Sequence, residues 1–200
     1  MPIFLIMSIL FVIWLGFQIK KTSKVSHHSS EDFWERERNA NFVRPKDLSS
    51  LEYISVSLTG LPFEDTTDPT LSDTQEEIKR LSQKELLNLS SQSNTDLKYA
   101  YGAKNLDYLV CCDQNYALFL RTLNKWAALL YEKEETAKAK IILEYALSLK
   151  TDISTSYTLL AEIYFKEGTP EKIYPLITQA EELSTLMKDA LIKNLASYLS

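Results

Sequence analysis

Two hundred residues with a net charge of −5, 45% of them hydrophobic and 24% charged, leave room for one folded domain with appendages. Four glycines and six prolines exclude a low-complexity chain and a turn-rich all-β fold, and the acidic balance argues against nucleic acid as a partner. The two cysteines, Cys111 and Cys112, are neighbours, so they build no disulfide framework and read as free thiols of a reducing compartment.

The chain opens on Pro2 to Ile19, an apolar run that no charge interrupts. A helix of this length is just long enough to cross a bilayer core. No basic residue precedes it, no A-x-A-like cleavage site is present, and Lys20, Lys21 and Lys24 follow it. The pattern predicts an uncleaved single-pass anchor over 1–19 rather than a signal peptide. By the positive-inside rule the N-terminus lies outside and the C-terminal body in the cytoplasm. Lys20, Lys21 and Lys24 then meet anionic headgroups at the membrane interface. His27 and His28 sit in a Ser-rich tether without further ligands, so they read as solvated chain and no metal site is expected.

Residues 20–71 read as a juxtamembrane linker. Within it, EDFWERERNAN at 31–41 predicts a short helix ended by Arg44-Pro45. Its Phe33 and Trp34 belong either in the membrane interface or against the helical body. Over 50–63 the period changes to two: Ile54, Val56 and Leu58 alternate with Ser55, Ser57 and Thr59. That predicts a half-buried extended segment, either clipped across the helices or added to another chain's sheet.

Residues 72–200 read as the helical domain. A helix is expected from Ser72, with Gln75 completing a capping box, to about Leu89. The next is capped by Thr95 or Asp96 and carries Leu97, Tyr101, Leu106, Leu109 and Val110. The pair reads as a degenerate repeat capping the stack. Asn88-Leu89-Ser90 fits a glycosylation sequon that a cytoplasmic position leaves unused.

From Leu120 to Met187 the sequence falls onto itself when shifted by 34 residues. Leu123 meets Tyr157, Ala127 meets Ala161, Leu130 meets Tyr164, Leu143 meets Ile177 and Ala146 meets Ala180. Each copy predicts two helices. In the first, Leu123, Trp126, Ala127 and Leu130 share a face. After a polar break at Lys133–Thr136, Ala139, Ile142, Leu143, Ala146 and Leu147 form the second. In the second copy Tyr157, Leu160, Ala161 and Tyr164 precede Gly168-Thr169-Pro170: a left-handed helix end, an N-cap and a first helical proline. Ile173, Leu176, Ile177 and Ala180 follow, and Pro175 is expected to kink their helix. Residues 188–199 keep helical spacing through Leu191, Leu195 and Tyr198 and would cover the last apolar face.

A fixed period of this size marks a stack of helix pairs, and these matched positions resemble the tetratricopeptide repeat (TPR) family over about a third of the chain. The departures are Glu134 where the first copy's turn would hold Gly, Thr151 and Thr185 where a repeat would end in Pro, and Ile173 where a small residue is usual. The resemblance implies an all-α, antiparallel helix-pair solenoid with repeats at 120–153 and 154–187. It also implies a groove lined by Arg121, Asn124, Ala128, Tyr131, Thr155, Thr158, Glu162 and Phe165. The layout as a whole resembles single-pass membrane-anchored repeat proteins of Gram-positive bacteria.

No catalytic constellation can be assembled: neither His lies in the repeat body, no Gly-rich phosphate loop exists, and the paired carboxylates are helix-surface neighbours. No enzyme, cofactor or small-molecule substrate is expected. Two readings remain: a membrane-anchored module that binds a protein or extended peptide through Tyr131 and Phe165, or a structural subunit of a larger membrane complex.

Overall fold

The computed structural model describes Met7, Phe11, Trp14 and residues 31–199. Among these the protein is all-α, with eight α-helices and no strand. The expected anchor and Lys20, Lys21 and Lys24 lie outside the described residues, apart from Met7, Phe11 and Trp14. Among the described residues no helix is long and apolar enough to cross a membrane. The chain divides into two compact units, Met1–Ser50 with Gln92–Asp107, and Leu51–Ser91 with Tyr108–Ser200.

In the smaller unit residues 31–41 are helical (α1), as their pattern predicts, and α3 spans Asn94–Tyr101. The expected cap of α3 is displaced by two or three residues. Ser93 is the N-cap, and Asp96 closes a capping box from the third helical position. Gly102 ends α3 with φ at 89°, where a Cβ would come within 2.7 Å of the Pro45 Cα. Only a glycine lets Arg44-Pro45 cross at this distance. Arg36 pairs with Asp96 at 2.6 Å, and Glu37 accepts from Thr95 and Lys98. The Lys98 bond, then Thr95, holds the Glu37 carboxyl below its ordinary value.

The larger unit holds α2 (Pro69–Leu81), nearly all of α4 (Leu106–Glu132), α5 (Thr136–Ser148), α6 (Ser154–Lys166), α7 (Ile173–Glu181) and α8 (Lys188–Ala196). Two expectations are corrected here. The first concerns α2, which begins at Pro69 under an Asp68 cap whose carboxylate accepts from Thr70 and Leu71. It stops at Leu81 rather than Leu89. Leu86, Leu87 and Leu89 are buried all the same, on irregular backbone. The N–H of Leu87 reaches Cys112 O, and that of Leu89 reaches Asp113 Oδ1 at 2.8 Å. The second concerns Leu106 to Val110, which do not belong to the helix capped near Asp96. They start α4, one helix of 27 residues that runs on into the repeat. Cys111 is exposed on it and Cys112 buried, where desolvation pushes the thiol pKa up.

The 34-residue period reappears in the backbone. The N–H of Glu135 bonds Leu130 O at 2.9 Å, and that of Thr169 bonds Tyr164 O at 2.9 Å. Glu134 N–H meets Tyr131 O at 3.0 Å, and Gly168 N–H meets Phe165 O at 3.1 Å. Ala127, Ala146, Ala161 and Ala180 are all fully buried. The faces that hold them belong to one core, with α5 packed on α6, α6 on α7, and α8 on both α6 and α7. Helix α8 starts 34 residues after α6, and its buried Leu191 and Leu195 fall 34 after Tyr157 and Ala161.

Two further details depart from expectation. Pro175 does not fall in the interior of α7. The helix begins only at Ile173, after a 3-10 turn over Pro170–Lys172, so the proline sits in the first turn, where no N–H is needed. Thr169 makes no side-chain cap; its hydroxyl turns back to Tyr164 O.

The turn inside each copy is left-handed, with φ of 64° at Glu134 and 71° at Gly168. A side chain at such an angle costs about 1 kcal/mol. Glu134→Gly is therefore expected to stabilise the protein by about 1 kcal/mol and Gly168→Ala to destabilise it by a similar amount, read from urea melts. A Cβ at residue 168 would meet nothing within 4 Å, so the second effect reports backbone strain alone.

The stretch after Leu51 is irregular, yet its burial has period two. Ile54, Val56 and Leu58 are half-buried against the core and Ser55, Ser57 and Thr59 are exposed. The segment is docked within its own chain. Ile54 N–H bonds Leu86 O at 2.9 Å, and Phe63 lies 4.7 Å from the Trp126 ring. The buried Gln75 side chain takes both backbone groups of Glu64, at 2.9 and 3.1 Å. Gln75 thus serves the strap rather than a capping box.

Candidate functional site

The last turns of α4, with α6 and the C-terminal end of the chain, line an open cavity of ≈ 330 Å³. Asn124 and Ala128 come from α4, Thr155, Thr158, Leu159 and Glu162 from α6, and Asn194 and Tyr198 from the C-terminal end. Helical spacing places the α4 and α6 members: Asn124 and Ala128 are four apart, as are Thr158 and Glu162. On the adjoining faces of the same helices Leu123, Ala127, Tyr157 and Ala161 are buried in the core, which leaves the flank of each helix to face the cavity.

The Asn124 Oδ1 accepts from the Thr155 hydroxyl at 3.1 Å and the Ser156 hydroxyl at 2.9 Å. Its amide NH2 finds no partner among the described residues, so two donors are presented with their carrier locked. At the other end of α6, the Tyr131 hydroxyl donates to Glu162 at 2.7 Å, and Lys166 donates to Tyr131 at 2.6 Å and to Glu162 at 2.7 Å. The Lys166 ammonium also stands 5.2 Å from the Tyr131 ring centroid. The Lys166 bond, then Tyr131, holds Glu162 below the ordinary carboxylate value, and Glu162 in turn raises Lys166. A carboxylate with a depressed pKa keeps its pairing above its unfolded value and loses it as pH falls through the folded one. The network is thus intact at neutral pH, and the groove's charges are balanced from within. Phe165 is 54% exposed and packs against Tyr198, the rings tilted by 57° with 5.7 Å between centroids.

Of the residues expected to line the groove, Asn124, Ala128, Thr155, Thr158 and Glu162 share the cavity. Tyr131 joins it through Glu162, and Phe165 through Tyr198. Arg121 faces elsewhere. It lines a separate depression of ≈ 320 Å³ with Asp73, Thr74 and Glu77 of α2 and Leu118, Thr122 and Lys125 of α4. Sequence reasoning missed Lys166, Asn194 and Tyr198. A third pass of the 34-residue shift sets Asn194 and Tyr198 on the buried Leu160 and Tyr164, so the repeat register carries no signal for them.

A larger cavity of ≈ 620 Å³ is lined by Asn88, Ser90 and Ser91, by the α5–α6 turn with Lys150 and Asp152, and by residues after α7. Tyr157 at its edge donates to Thr151 O at 3.0 Å, and burial pushes its phenol pKa up to about 12. That phenol keeps its proton and holds the turn. Asn88, within the sequon, accepts from both the N–H and the hydroxyl of Ser90. Among the described residues no group of three or more His, Cys, Asp or Glu could hold a metal ion. No known protein family matches the chain, and neither does any curated protein or solved structure.

Proposed function

We propose that this chain is a membrane-anchored, TPR-like helix-pair solenoid that binds an extended segment of a partner protein in the groove between α4, α6 and the C-terminal end. The observation that carries the reading is Asn124. Its oxygen is held by two hydroxyls, and its two amide hydrogens are left over among the described residues. A peptide backbone offers carbonyl acceptors at regular intervals, and an amide donor held in place loses little entropy on meeting one. The Tyr131 and Phe165 rings give apolar area beside it, and the Glu162–Lys166 pair leaves the groove without a net charge of its own.

The 34-residue recurrence of buried alanines and turn hydrogen bonds supports the repeat reading. The apolar run at 2–19 followed by Lys20, Lys21 and Lys24 supports an anchor with the repeats on the cytoplasmic side. The activity proposed is binding alone, with no cofactor and no reaction.

The test is the double variant Tyr131→Ala/Phe165→Glu in the full chain, with helicity checked by circular dichroism. The expected result is at least a tenfold loss of the membrane-derived partner, about 1.4 kcal/mol or more of binding free energy, with the fold intact. A partner retained in full would refute the groove. An assembly that shrinks only when residues 31–63 are deleted would mark a structural subunit instead.

A further inference from the structure

We propose that Phe33 and Trp34 form an interfacial wedge that lies in the headgroup layer of the bilayer; the inference rests on the anchor reading of residues 1–19. Phe33 and Trp34 sit edge to face, 5.4 Å apart at 74°. They are nevertheless 52% and 57% exposed, and Phe42, at the end of the same helix, is 87% exposed.

The next turns of α1 are tied down. Arg36 and Glu37 bond Asp96, Thr95 and Lys98 of α3, and Ala40 is fully buried. The rings are therefore held out by a fixed helix rather than by a loose chain, and little order remains to be gained on insertion.

The occupant follows from where the chain comes from. Only residues 20–30 separate Phe33 and its flanking acidic pair from the apolar run. Fully extended they span about 40 Å at most, so the aromatic pair stays close to any membrane that the run crosses. That connecting stretch carries Lys20, Lys21 and Lys24, which favour an anionic surface. Aromatic rings with one apolar and one polar side, Trp above all, collect at the level of lipid headgroups. A lipid surface is the one partner that the anchor itself brings to this place.

The full chain in lipid nanodiscs containing anionic lipid tests this by tryptophan quenching. The protein has three tryptophans, Trp14, Trp34 and Trp126. The variant Trp14→Phe/Trp126→Phe reports Trp34 alone, and Trp34→Phe/Trp126→Phe reports Trp14. The inference expects Trp34 emission to fall about two-fold in lipid brominated near the headgroups and to change little in lipid brominated near the bilayer centre. Trp14 quenched with Trp34 untouched by either lipid overturns the wedge while the anchor stands. Neither residue quenched overturns the anchor and the wedge together. Should Trp126→Phe fail to fold, the difference between the wild type and Trp34→Phe, measured in the same lipids, isolates the Trp34 signal and separates the same outcomes.

Discussion

Replacing Trp126 with Ala is expected to cost about 4 kcal/mol of unfolding free energy and to lower the melting temperature by about 12 °C. The indole is fully buried near the end of α4, beside Ala127 and against the Phe63 ring at 4.7 Å. It stands where the repeat core meets the irregular strap. Trp126→Phe should cost far less, about 1 kcal/mol. The indole N–H is buried without a partner among the described residues, so the smaller ring removes an unsatisfied donor along with the volume. Urea melts followed by circular dichroism separate the two. Equal costs for Ala and Phe would mean that the site collapses freely and that Trp126 is no keystone.

Replacing Ile54, Val56 and Leu58 together with Ser is expected to cost about 3 kcal/mol, since each half-buried side chain contributes about half of a full burial. The chain keeps its length, so the ordering entropy of the strap changes little, and the effect reports the lost contact. Gln75→Ala should add about 2 kcal/mol, because the Glu64 N–H and C=O lose the same side-chain partner together. The ion pairs Glu64–Lys138 and Asp68–Lys133 continue the attachment beyond Gln75, but they are partly exposed and count for less. A triple-Ser variant that melts at the wild-type temperature would show the strap to be detached in solution. It would also return these residues to the role of a strand awaiting another chain.

The parts of the fold that were legible are those set by a local signal repeated at a fixed interval. The turn at Gly168 announces itself through Gly-Thr-Pro. The equivalent turn at Glu134 has no such residue and shows only as the polar break Lys133–Thr136, 34 positions earlier. The parts that were not legible depend on distant contacts. Leu86 and Leu89 continue the spacing of α2, so periodicity alone extends the helix. Burial and the bonds to Cys112 and Asp113 hold them in a different backbone. The repeat frame suggested a boundary before Leu120, but no Gly or Pro falls between Leu106 and Glu132, and one helix runs through. Asp68-Pro69 was a stronger start signal than Ser72 and went unread.

The site divides in the same way. Asn124, Thr158 and Glu162 follow from the register of the repeat, whereas Lys166 enters only because Tyr131 and Glu162 converge across two helices. Arg121 sits one turn before Asn124 on α4, beside α2, which belongs to no repeat.

The claim that the groove grips an extended partner is tested most directly by a photo-crosslinking amino acid placed at Thr158 of the full chain in native membranes, with the same probe at Glu171 on the outer turn as control. One discrete adduct is expected from residue 158, absent from residue 171 and lost on Tyr131→Ala/Phe165→Glu. Equal labelling from both positions, or an adduct at 158 that survives the double variant, would contradict it.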